Sequence, residues 1–212
     1  MLKNRIEAGR QLSQKILESL EIKNALVLAI PRGGVVVGFE IAKKLGCTLD
    51  VAIAKKITPP DHPEYAVGAI THEGTIYEGP HWKNYSRIVN FQNEIEKKKN
   101  EAKRRLVEYR GDAKYRLDGK TIILVDDGIA TGATVFVLLK WLEKQKTNQI
   151  ILVVPVIAAH TYEELQKYVD MIFALEIPTE FFSVGQFYKE FDQVSDNEVI
   201  AILEKFKKGW FH

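Results

Sequence analysis

Residues 121–134 have the sequence TIILVDDGIATGAT, and this segment decides the fold class of the 212-residue chain. Its first five residues, Thr121–Val125, are almost entirely apolar, which is typical of a strand covered on both faces of a parallel sheet. Asp126 and Asp127 follow at the predicted carboxyl end of that strand. A turn with small side chains then leads into a predicted helix at residues 133–146. The segment therefore predicts a strand–turn–helix unit of an open α/β sheet.

The turn after the two aspartates is suited to bind an anion. Its glycines and alanines leave backbone N–H groups accessible, and its threonines add hydroxyl donors at the start of the helix. Phosphate fits such a turn. Because carboxylates repel phosphate, we predict that Asp126 and Asp127 accept hydrogen bonds from ribose hydroxyls of the same ligand, or help to place a metal ion. The predicted binding residues of the turn are Gly128, Ile129, Ala130, Thr131, Gly132, Ala133 and Thr134.

Other classes of strand-to-helix turn fit these residues less well. An ordinary capped turn needs one carboxylate, whereas this turn has two, together with a pair of threonines. A Walker loop has a lysine after its last glycine, and a dinucleotide-binding turn has the GxGxxG pattern; this turn has neither. A receiver domain carries its paired acids near its start and places an aspartate and a lysine at the ends of later strands. The later apolar runs here end at Ala159 and Glu176, which excludes that class.

A second predicted strand, residues 25–30, runs into Pro31, Arg32, Gly33 and Gly34 before a predicted helix at residues 35–45. A guanidinium group beside accessible backbone amides at a strand-to-helix junction can bind a pyrophosphate group. The alternative interpretation is a tight turn whose arginine faces solvent.

A third predicted strand, residues 49–54, is followed by Lys55 and Lys56 and then by a proline-rich loop at residues 58–63. Carboxyl ends of strands form the ligand-binding edge of an open α/β sheet. We therefore predict that a lysine at this strand end contacts the ligand. The alternative is that both lysines are solvated.

The pattern of the whole chain predicts one α/β domain over residues 1–212. This domain would have an open, mostly parallel sheet, helices on both faces, and a hairpin-and-helix flap. The flap or lid is assigned to residues 59–110, and a C-terminal hood to residues 177–212. Further predicted helices cover residues 3–20, 86–109, a segment from 161 with a capping box to Glu164, and 196–207 capped by Ser195 and Glu198. Further predicted strands cover residues 66–71, 75–78, 150–156 and 171–176.

Composition narrows the class of protein. The formal net charge of +2 arises from 30 basic and 28 acidic residues, which is too balanced for a dedicated nucleic-acid-binding protein. The basic residues of the predicted helix 86–109 could contact RNA, but interleaved glutamates favour a solvated helix. Cys47 is the single cysteine, so no intrachain disulfide is expected. Without a signal-peptide pattern or an apolar run that could span a bilayer, we expect a cytoplasmic protein with no membrane partner.

The segment ILVDDGIATGAT, residues 123–134, resembles the phosphoribosyl-pyrophosphate motif of type I phosphoribosyltransferases. The segment KKITPPDHPEYAVGAI, residues 55–70, resembles a group of bacterial chains known only as predicted phosphoribosyltransferases of unknown acceptor. The resemblance implies that Arg32, Gly33 and Gly34 form a pyrophosphate loop, in which relatives often hold a cis peptide at the bond that precedes Arg32. It also implies that Lys56 contacts the diphosphate and that Mg²⁺ takes part.

The segment EIPTEFFSVG, residues 176–185, resembles the base-binding stretch of hypoxanthine-guanine enzymes. The resemblance implies that Phe182 stacks on a base; the alternative is that Phe182 belongs to the core. His160 stands in the loop where these enzymes usually supply a lysine to the base. Lys189 and Ala130 stand where they have aspartates. A 6-oxopurine acceptor is therefore not predicted.

The resemblance implies an enzyme of nucleotide metabolism that transfers a 5-phosphoribosyl group from phosphoribosyl pyrophosphate to a nitrogen acceptor, a nucleobase, and releases pyrophosphate. Its catalytic residues would be Arg32, Lys56, Asp126 and Asp127, and its partners would be small molecules, with a homodimer left open. Two alternatives stay open at this point. One is a regulator that only binds phosphoribosyl pyrophosphate, and the other is a hydrolase or phosphorylase of ribosyl phosphates.

Overall fold

The computed structural model describes residues 1–59, 61–62, 65–87 and 90–209. Pro60 and Pro63 of the predicted loop, Glu64 of the segment resembling the bacterial chains, and Ile88 of a predicted helix lie outside the described residues, as do residues 210–212 of the predicted hood. The described residues form two compact units. The first unit contains residues 1–52, 117–131 and 147–209, and the second contains residues 53–116 and 132–146 within the same described ranges.

The strands of the described chain are β1 (Ala25–Ala29), β2 (Thr48–Val51), β3 (Ala54–Ile57), β4 (Gly68–Thr71), β5 (Ile76–Glu78), β6 (Thr121–Val125), β7 (Gln149–Val156) and β8 (Met171–Glu176). Its α-helices are α1 (Arg5–Ser19), α2 (Gly33–Leu45), α3 (Trp82–Tyr85), α4 (Phe91–Arg110), α5 (Ala133–Leu142), α6 (Ala159–Leu165) and α7 (Asp196–Lys207). Two short 3₁₀ turns cover Glu143–Gln145 and Val184–Phe187. None of the described helices is long and apolar enough to cross a membrane.

The first unit is built on a five-stranded, fully parallel sheet with the strand order β2-β1-β6-β7-β8. Strand β6 lies at its centre, and all five of its residues are buried, as its unbroken apolar sequence predicts. Ala29, Val125 and Val153 lie side by side in the register of the three central strands. The carboxyl ends of β1 and β6 therefore meet at one edge of the sheet.

Helices α1 and α2 pack together over one face of this sheet. The core between them contains Leu12 and Ile16 of α1, Val37 and Ile41 of α2, and alternate strand residues such as Ile123. Asn4 caps α1, because its side-chain oxygen accepts a hydrogen bond from the Glu7 N–H. This packing places the first residues of α2 at the carboxyl edge of the sheet.

The second unit is built on a three-stranded antiparallel sheet with the order β3-β4-β5, against which α4 and α5 pack. Lys55 and Lys56 lie within β3, paired with Ile70 and Ala69 of β4. The prediction that they follow the end of the preceding parallel strand is therefore wrong. The apolar sequence of residues 49–54 is continuous, but β2 ends at Val51, and the chain enters a different sheet after Ala52 and Ile53.

Two helix starts also differ from the sequence prediction. Thr161 does not cap α6, which begins at Ala159; its hydroxyl is buried and donates a hydrogen bond to the Ala130 carbonyl. Helix α4 begins at Phe91 rather than at residue 86. By contrast, α7 and its capping box between Ser195 and Glu198 are confirmed. At Thr161, the hydrogen bond to the distant Ala130 carbonyl outweighs the local capping pattern.

Candidate active site

Two turns of the first unit meet where β1 and β6 end. The Ile30 N–H donates a hydrogen bond of 2.8 Å to the Val125 carbonyl, which joins the residue just after β1 to the last residue of β6. After Ile30 the backbone continues through Pro31 and Arg32 into α2. After Val125 it continues into Asp126 and Asp127. The two turns that were singled out in the sequence are therefore neighbours at one sheet edge.

Close packing between the two turns explains why the turn after β1 has glycine at positions 33 and 34. A Cβ atom at Gly34 would lie 2.9 Å from the Val125 carbonyl oxygen, and one at Gly33 would lie 1.8 Å from Asp127 Oδ2. Neither position has room for a side chain. The bond between Pro31 and Arg32 is a cis peptide, as the family resemblance implies.

The Asp127 side chain is held by an ion pair with Arg5 at the start of α1. Arg5 Nε donates a hydrogen bond of 2.7 Å to Asp127 Oδ2, and the two side chains are only 11% and 15% exposed. The Tyr188 hydroxyl donates a hydrogen bond of 2.7 Å to the backbone carbonyl of Asp127. Burial, with the Asp127 charge second, raises the pKa of Tyr188, so the phenol stays protonated and remains a donor.

The Asp126 carboxyl lies in a different electrostatic environment from that of its neighbour. Burial first, and then the negative charge of Asp127, raise the pKa of Asp126 well above its ordinary value. One opposing contribution comes from the Asp127 N–H, which donates a hydrogen bond of 2.8 Å to Asp126 Oδ1. Asp126 is therefore harder to ionise than an ordinary aspartate, and Asp127 is the carboxylate that is paired with a cation.

Sequence reasoning missed Arg5, which lies 122 residues from Asp127 along the chain. Arg5 is anchored twice more, by a 2.8 Å hydrogen bond to the Asp192 carbonyl and by the Phe191 ring, whose centroid is 3.8 Å from the guanidinium carbon. One local signal was available. Cations are disfavoured in the first turn of a helix, so an arginine at the first position of α1 suggests that it has another role.

The turn that follows Asp127 is fixed to the end of β7. Ile129 donates its N–H to the Val156 carbonyl at 2.9 Å, and its carbonyl accepts from the Ala158 N–H at 3.0 Å. A Cβ atom at Gly128 would lie 2.2 Å from Val184 Cγ1, so this glycine is also needed for close packing. Thr131, the last residue of the turn in the first unit, is exposed.

The remaining turn residues belong to the second unit and begin α5. Gly132 has a left-handed backbone conformation with φ of 71°, and its carbonyl accepts a 2.8 Å hydrogen bond from the Phe136 N–H. Gly132 is buried, whereas Ala133 and Thr134 at the helix N-terminus are partly exposed. The first N–H groups of a helix have no partner within the helix, and the anion-binding role of these residues stays a prediction.

Residues 1–190 match the family model described as the phosphoribosyl transferase domain. The chain belongs to this family. A Mycobacterium tuberculosis protein named "Putative phosphoribosyl transferase Rv0571c" is 36% identical over 210 residues, which are 95% of this chain. The chain spans only 46% of the length of that relative.

Two solved structures share the fold of this chain. The crystal structure of TT1426 from Thermus thermophilus is 32% identical, covers 97% of this chain and 98% of its own, and superposes with a TM-score of 0.80. The AQ2163 protein from Aquifex aeolicus is 14% identical, covers 82% of this chain and 73% of its own, and has a TM-score of 0.53, so it shows the fold alone. The predicted type I phosphoribosyltransferase-like α/β fold is confirmed.

The basic residues predicted for a phosphoribosyltransferase site belong to different units, Arg32 to the first and Lys56 to the second. Arg32 pairs with Asp196 of α7 at 3.7 Å, and both side chains are partly exposed. Lys56 is exposed on β3 of the second unit, and its neighbour Lys55 is half-buried. Burial first, and then the charge of Arg105, lower the pKa of Lys55.

The two residues predicted to meet an acceptor base lie on the surface of the first unit. Phe182 is 87% exposed, so the alternative that it belongs to the core is wrong. Its backbone is nonetheless ordered, because the Gln186 side-chain oxygen accepts hydrogen bonds of 3.2 Å from both the Phe182 and the Ser183 N–H groups. His160 is exposed on the first turn of α6.

One oxygen of each carboxylate in this turn already has a partner within the protein. Asp127 Oδ2 already binds Arg5, and Asp126 Oδ1 already accepts the Asp127 N–H. Among the described residues there is no group of three or more histidine, cysteine, aspartate or glutamate side chains that could hold a metal ion. The metal-ligand role of Asp126 and Asp127 stays a prediction, and their contacts favour accepting hydroxyl hydrogen bonds instead.

Proposed function

We propose that the chain transfers a 5-phosphoribosyl group from magnesium phosphoribosyl pyrophosphate to a nitrogen acceptor, a nucleobase, and releases pyrophosphate. The observation that carries the proposal is the direct packing of the Gly33 turn against the Asp127 carboxylate in a member of the phosphoribosyl transferase domain family. Two loops suited to different parts of one substrate thereby share one sheet edge. The match to the family model over residues 1–190 supports the same reaction class.

The proposed sugar site is the aspartate turn. Asp126 and Asp127 accept hydrogen bonds from the two vicinal hydroxyls of the ribose, which need acceptors within about 3 Å. The 5-phosphate binds the amides of Gly132, Ala133 and Thr134 at the N-terminus of α5, with hydroxyl donors from Thr131 and Thr134.

The leaving diphosphate is assigned to Arg32 and to the N-terminus of α2 behind it, and the contact of Lys56 with the diphosphate stays a prediction. The Arg32 contact with Asp196 is 3.7 Å long and partly exposed, so a diphosphate can compete for this guanidinium at little cost. Mg²⁺ enters as part of the substrate, bound to diphosphate and hydroxyl oxygens. No protein-held metal is needed for this assignment.

Bond cleavage at the anomeric carbon proceeds through an oxocarbenium-like state, as it does in glycoside hydrolysis. The protein then contributes by holding the sugar, the diphosphate and the acceptor in line and by stabilising the charge of the leaving group. No protonated side chain at the scissile bond is required. The rigid, ion-paired Asp127 suits this task, because a fixed acceptor loses little entropy when the sugar binds.

The acceptor is assigned to the surface that presents Phe182. A side chain exposed to 87% on an ordered turn offers its ring face to a planar ligand at no cost to the core. His160 supplies a second group that can donate to or accept from the edge of a base.

The predicted flap at residues 59–110, the hood at residues 177–212 and a homodimer stay predictions.

A screen of free nucleobases with magnesium phosphoribosyl pyrophosphate, with pyrophosphate release as the readout, tests the proposal. We expect release that depends on one base and is lost in an Asp126→Asn, Asp127→Asn double variant. Calorimetry without a base measures binding separately. Binding without turnover by any base would identify a sensor, and pyrophosphate release without a base would identify a hydrolase. Either outcome would contradict the transferase proposal.

A further inference from the structure

Arg5 is the one cation bound directly to the aspartate turn among the described contacts, and it comes from a helix that no sequence motif connects with the site. Three independent contacts hold it: the Asp127 carboxylate at 2.7 Å, the Asp192 carbonyl at 2.8 Å and the Phe191 ring at 3.8 Å. The ring is itself stacked against Tyr188, with centroids 5.0 Å apart. Arg5 is thus part of a packed cluster rather than a mobile surface side chain.

The cluster reaches Asp127 from two directions. Tyr188 binds the backbone carbonyl of Asp127, and Arg5 binds its side chain. Gly33 closes the third side, because a Cβ atom there would lie 2.6 Å from Arg5 Nε as well as 1.8 Å from Asp127 Oδ2. The rotamer of Asp127 is therefore set by its surroundings before any ligand binds.

An ion pair with these contacts has a definite effect on what Asp127 can bind. A carboxylate has more acceptor positions than one guanidinium N–H can occupy, so a sugar hydroxyl can still donate to it. A divalent cation is different, because it would lie within a few ångströms of the Arg5 guanidinium and would be repelled by it. The displacement of Arg5 by a metal would also leave a buried cation without its partner.

We propose that Arg5 is a positioning residue of the sugar site, which orients the Asp127 carboxylate toward sugar hydroxyls and prevents it from ligating a divalent cation directly. The part of this inference that concerns the sugar rests on the proposed function. The part that concerns the cation does not, because it can be measured on the protein without substrate.

The experiment compares wild-type protein with Arg5→Met, Arg5→Lys and the matched control Arg10→Met. Arg10 lies on the same helix and pairs with Glu40 of α2 at 3.0 Å, away from the aspartate turn. Calorimetry gives the Kd for magnesium phosphoribosyl pyrophosphate, and the electron paramagnetic resonance signal of free Mn²⁺ gives divalent-cation binding without substrate. Thermal unfolding monitors stability throughout.

We expect Arg5→Met to raise the Kd for phosphoribosyl pyrophosphate about 10-fold, because the acceptor is no longer oriented, and to create Mn²⁺ binding that wild type lacks. Arg5→Lys keeps the charge, so it should bind no Mn²⁺ and should lie between wild type and Arg5→Met in Kd. Arg10→Met should match wild type in both measurements. A general loss of packing would lower the thermal midpoint but would not create Mn²⁺ binding.

An Arg5→Met protein that gains no Mn²⁺ binding, or a wild-type protein that binds Mn²⁺ through Asp127 without substrate, would overturn the proposal. An unchanged Kd in a folded Arg5→Met protein would also overturn it. If wild type does not bind phosphoribosyl pyrophosphate at all, the proposed function fails while the Mn²⁺ comparison still decides the role of Arg5. If the methionine variant does not fold, Arg5→Gln carries the cation test, because its amide nitrogen takes the place of Arg5 Nε and can keep the hydrogen bond to Asp127 without the charge.

Discussion

Gly33 lies against the carboxylate of Asp127, so closely that a Cβ atom at Gly33 would be 1.8 Å from Oδ2. The two residues belong to different turns, each of which follows its own parallel strand. Their contact is the point at which the proposed diphosphate loop and the proposed sugar turn meet. It makes the absence of a side chain at position 33 a requirement of the site.

Gly33→Ala should therefore disrupt substrate binding. The methyl group must displace Asp127 or Arg5, and we expect the Kd for phosphoribosyl pyrophosphate to rise at least ~10-fold in calorimetry. Gly46→Ala at the other end of α2 is the control. Its added Cβ meets nothing within 4 Å, although its φ of 65° costs stability. The control should lower the thermal midpoint and leave the Kd unchanged; an equal loss of affinity in both variants would contradict the steric explanation.

The two aspartates should respond differently to replacement by asparagine. The folded protein raises the pKa of Asp126 above its unfolded value, so the associated stability is present at low pH and is lost as pH rises through the folded pKa. The thermal midpoint of the wild-type protein should therefore fall as pH rises toward neutral. Asp126→Asn should make this fall smaller and should not destabilise the protein at neutral pH. Asp127→Asn leaves the mostly buried Arg5 without an anion and should lower the midpoint at neutral pH. Thermal unfolding between about pH 4 and pH 8 tests both expectations; identical profiles for the two variants would argue against this assignment.

Phe182→Ala should separate acceptor binding from stability. Because the side chain is 87% exposed, its removal should change the free energy of unfolding by no more than about 0.5 kcal/mol. Loss of ring stacking should raise the KM of the acceptor base about 10-fold and leave that of phosphoribosyl pyrophosphate unchanged. Phe181→Ala is the control, since Phe181 packs partly buried against Phe187 and should instead lower stability. Equal changes in both KM values would remove Phe182 from the acceptor site.

Cys47 should react slowly with alkylating reagents. Burial raises the pKa of its thiol to about 11, and only the thiolate reacts. At pH 8 roughly 0.1% of such a thiol is ionised, against about 25% for a free cysteine of pKa ~8.5. The rate of modification, followed by mass spectrometry, should increase about tenfold for each pH unit from 8 to 10. Rapid modification at pH 8 in the folded protein would contradict the expected environment.

Local patterns predicted a large part of this fold. The bounds of β6, β8 and α7 agree with the sequence prediction, and so does the capping box between Ser195 and Glu198. These elements are specified by unbroken apolar runs or by caps within three residues, which act before any distant part of the chain is considered. The cis peptide before Arg32 was implied by family resemblance alone and is present.

Other assignments depended on information that no local pattern contains. Residues 49–54 form one apolar run, yet the chain leaves the parallel sheet after Val51 and places Lys56 in an antiparallel one. The aromatic segment around Phe182 has the composition of a core, but the chain turns the Phe182 ring outward and buries Tyr188. Composition measures the amount of apolar surface, whereas the path of the chain determines which side chains are covered.

The sequence by itself determined the parallel sheet, the aspartate turn after its central strand and the family to which the chain belongs, because each depends on residues that are adjacent or regularly spaced. Only the tertiary structure decided that Arg5 binds Asp127 and that Gly33 packs beneath the pair. An ion pair between residues 122 positions apart leaves no periodicity in the chain. Its partners are selected by the packing of α1 and α2 over the sheet, so they become apparent only after the strands and helices have been assembled.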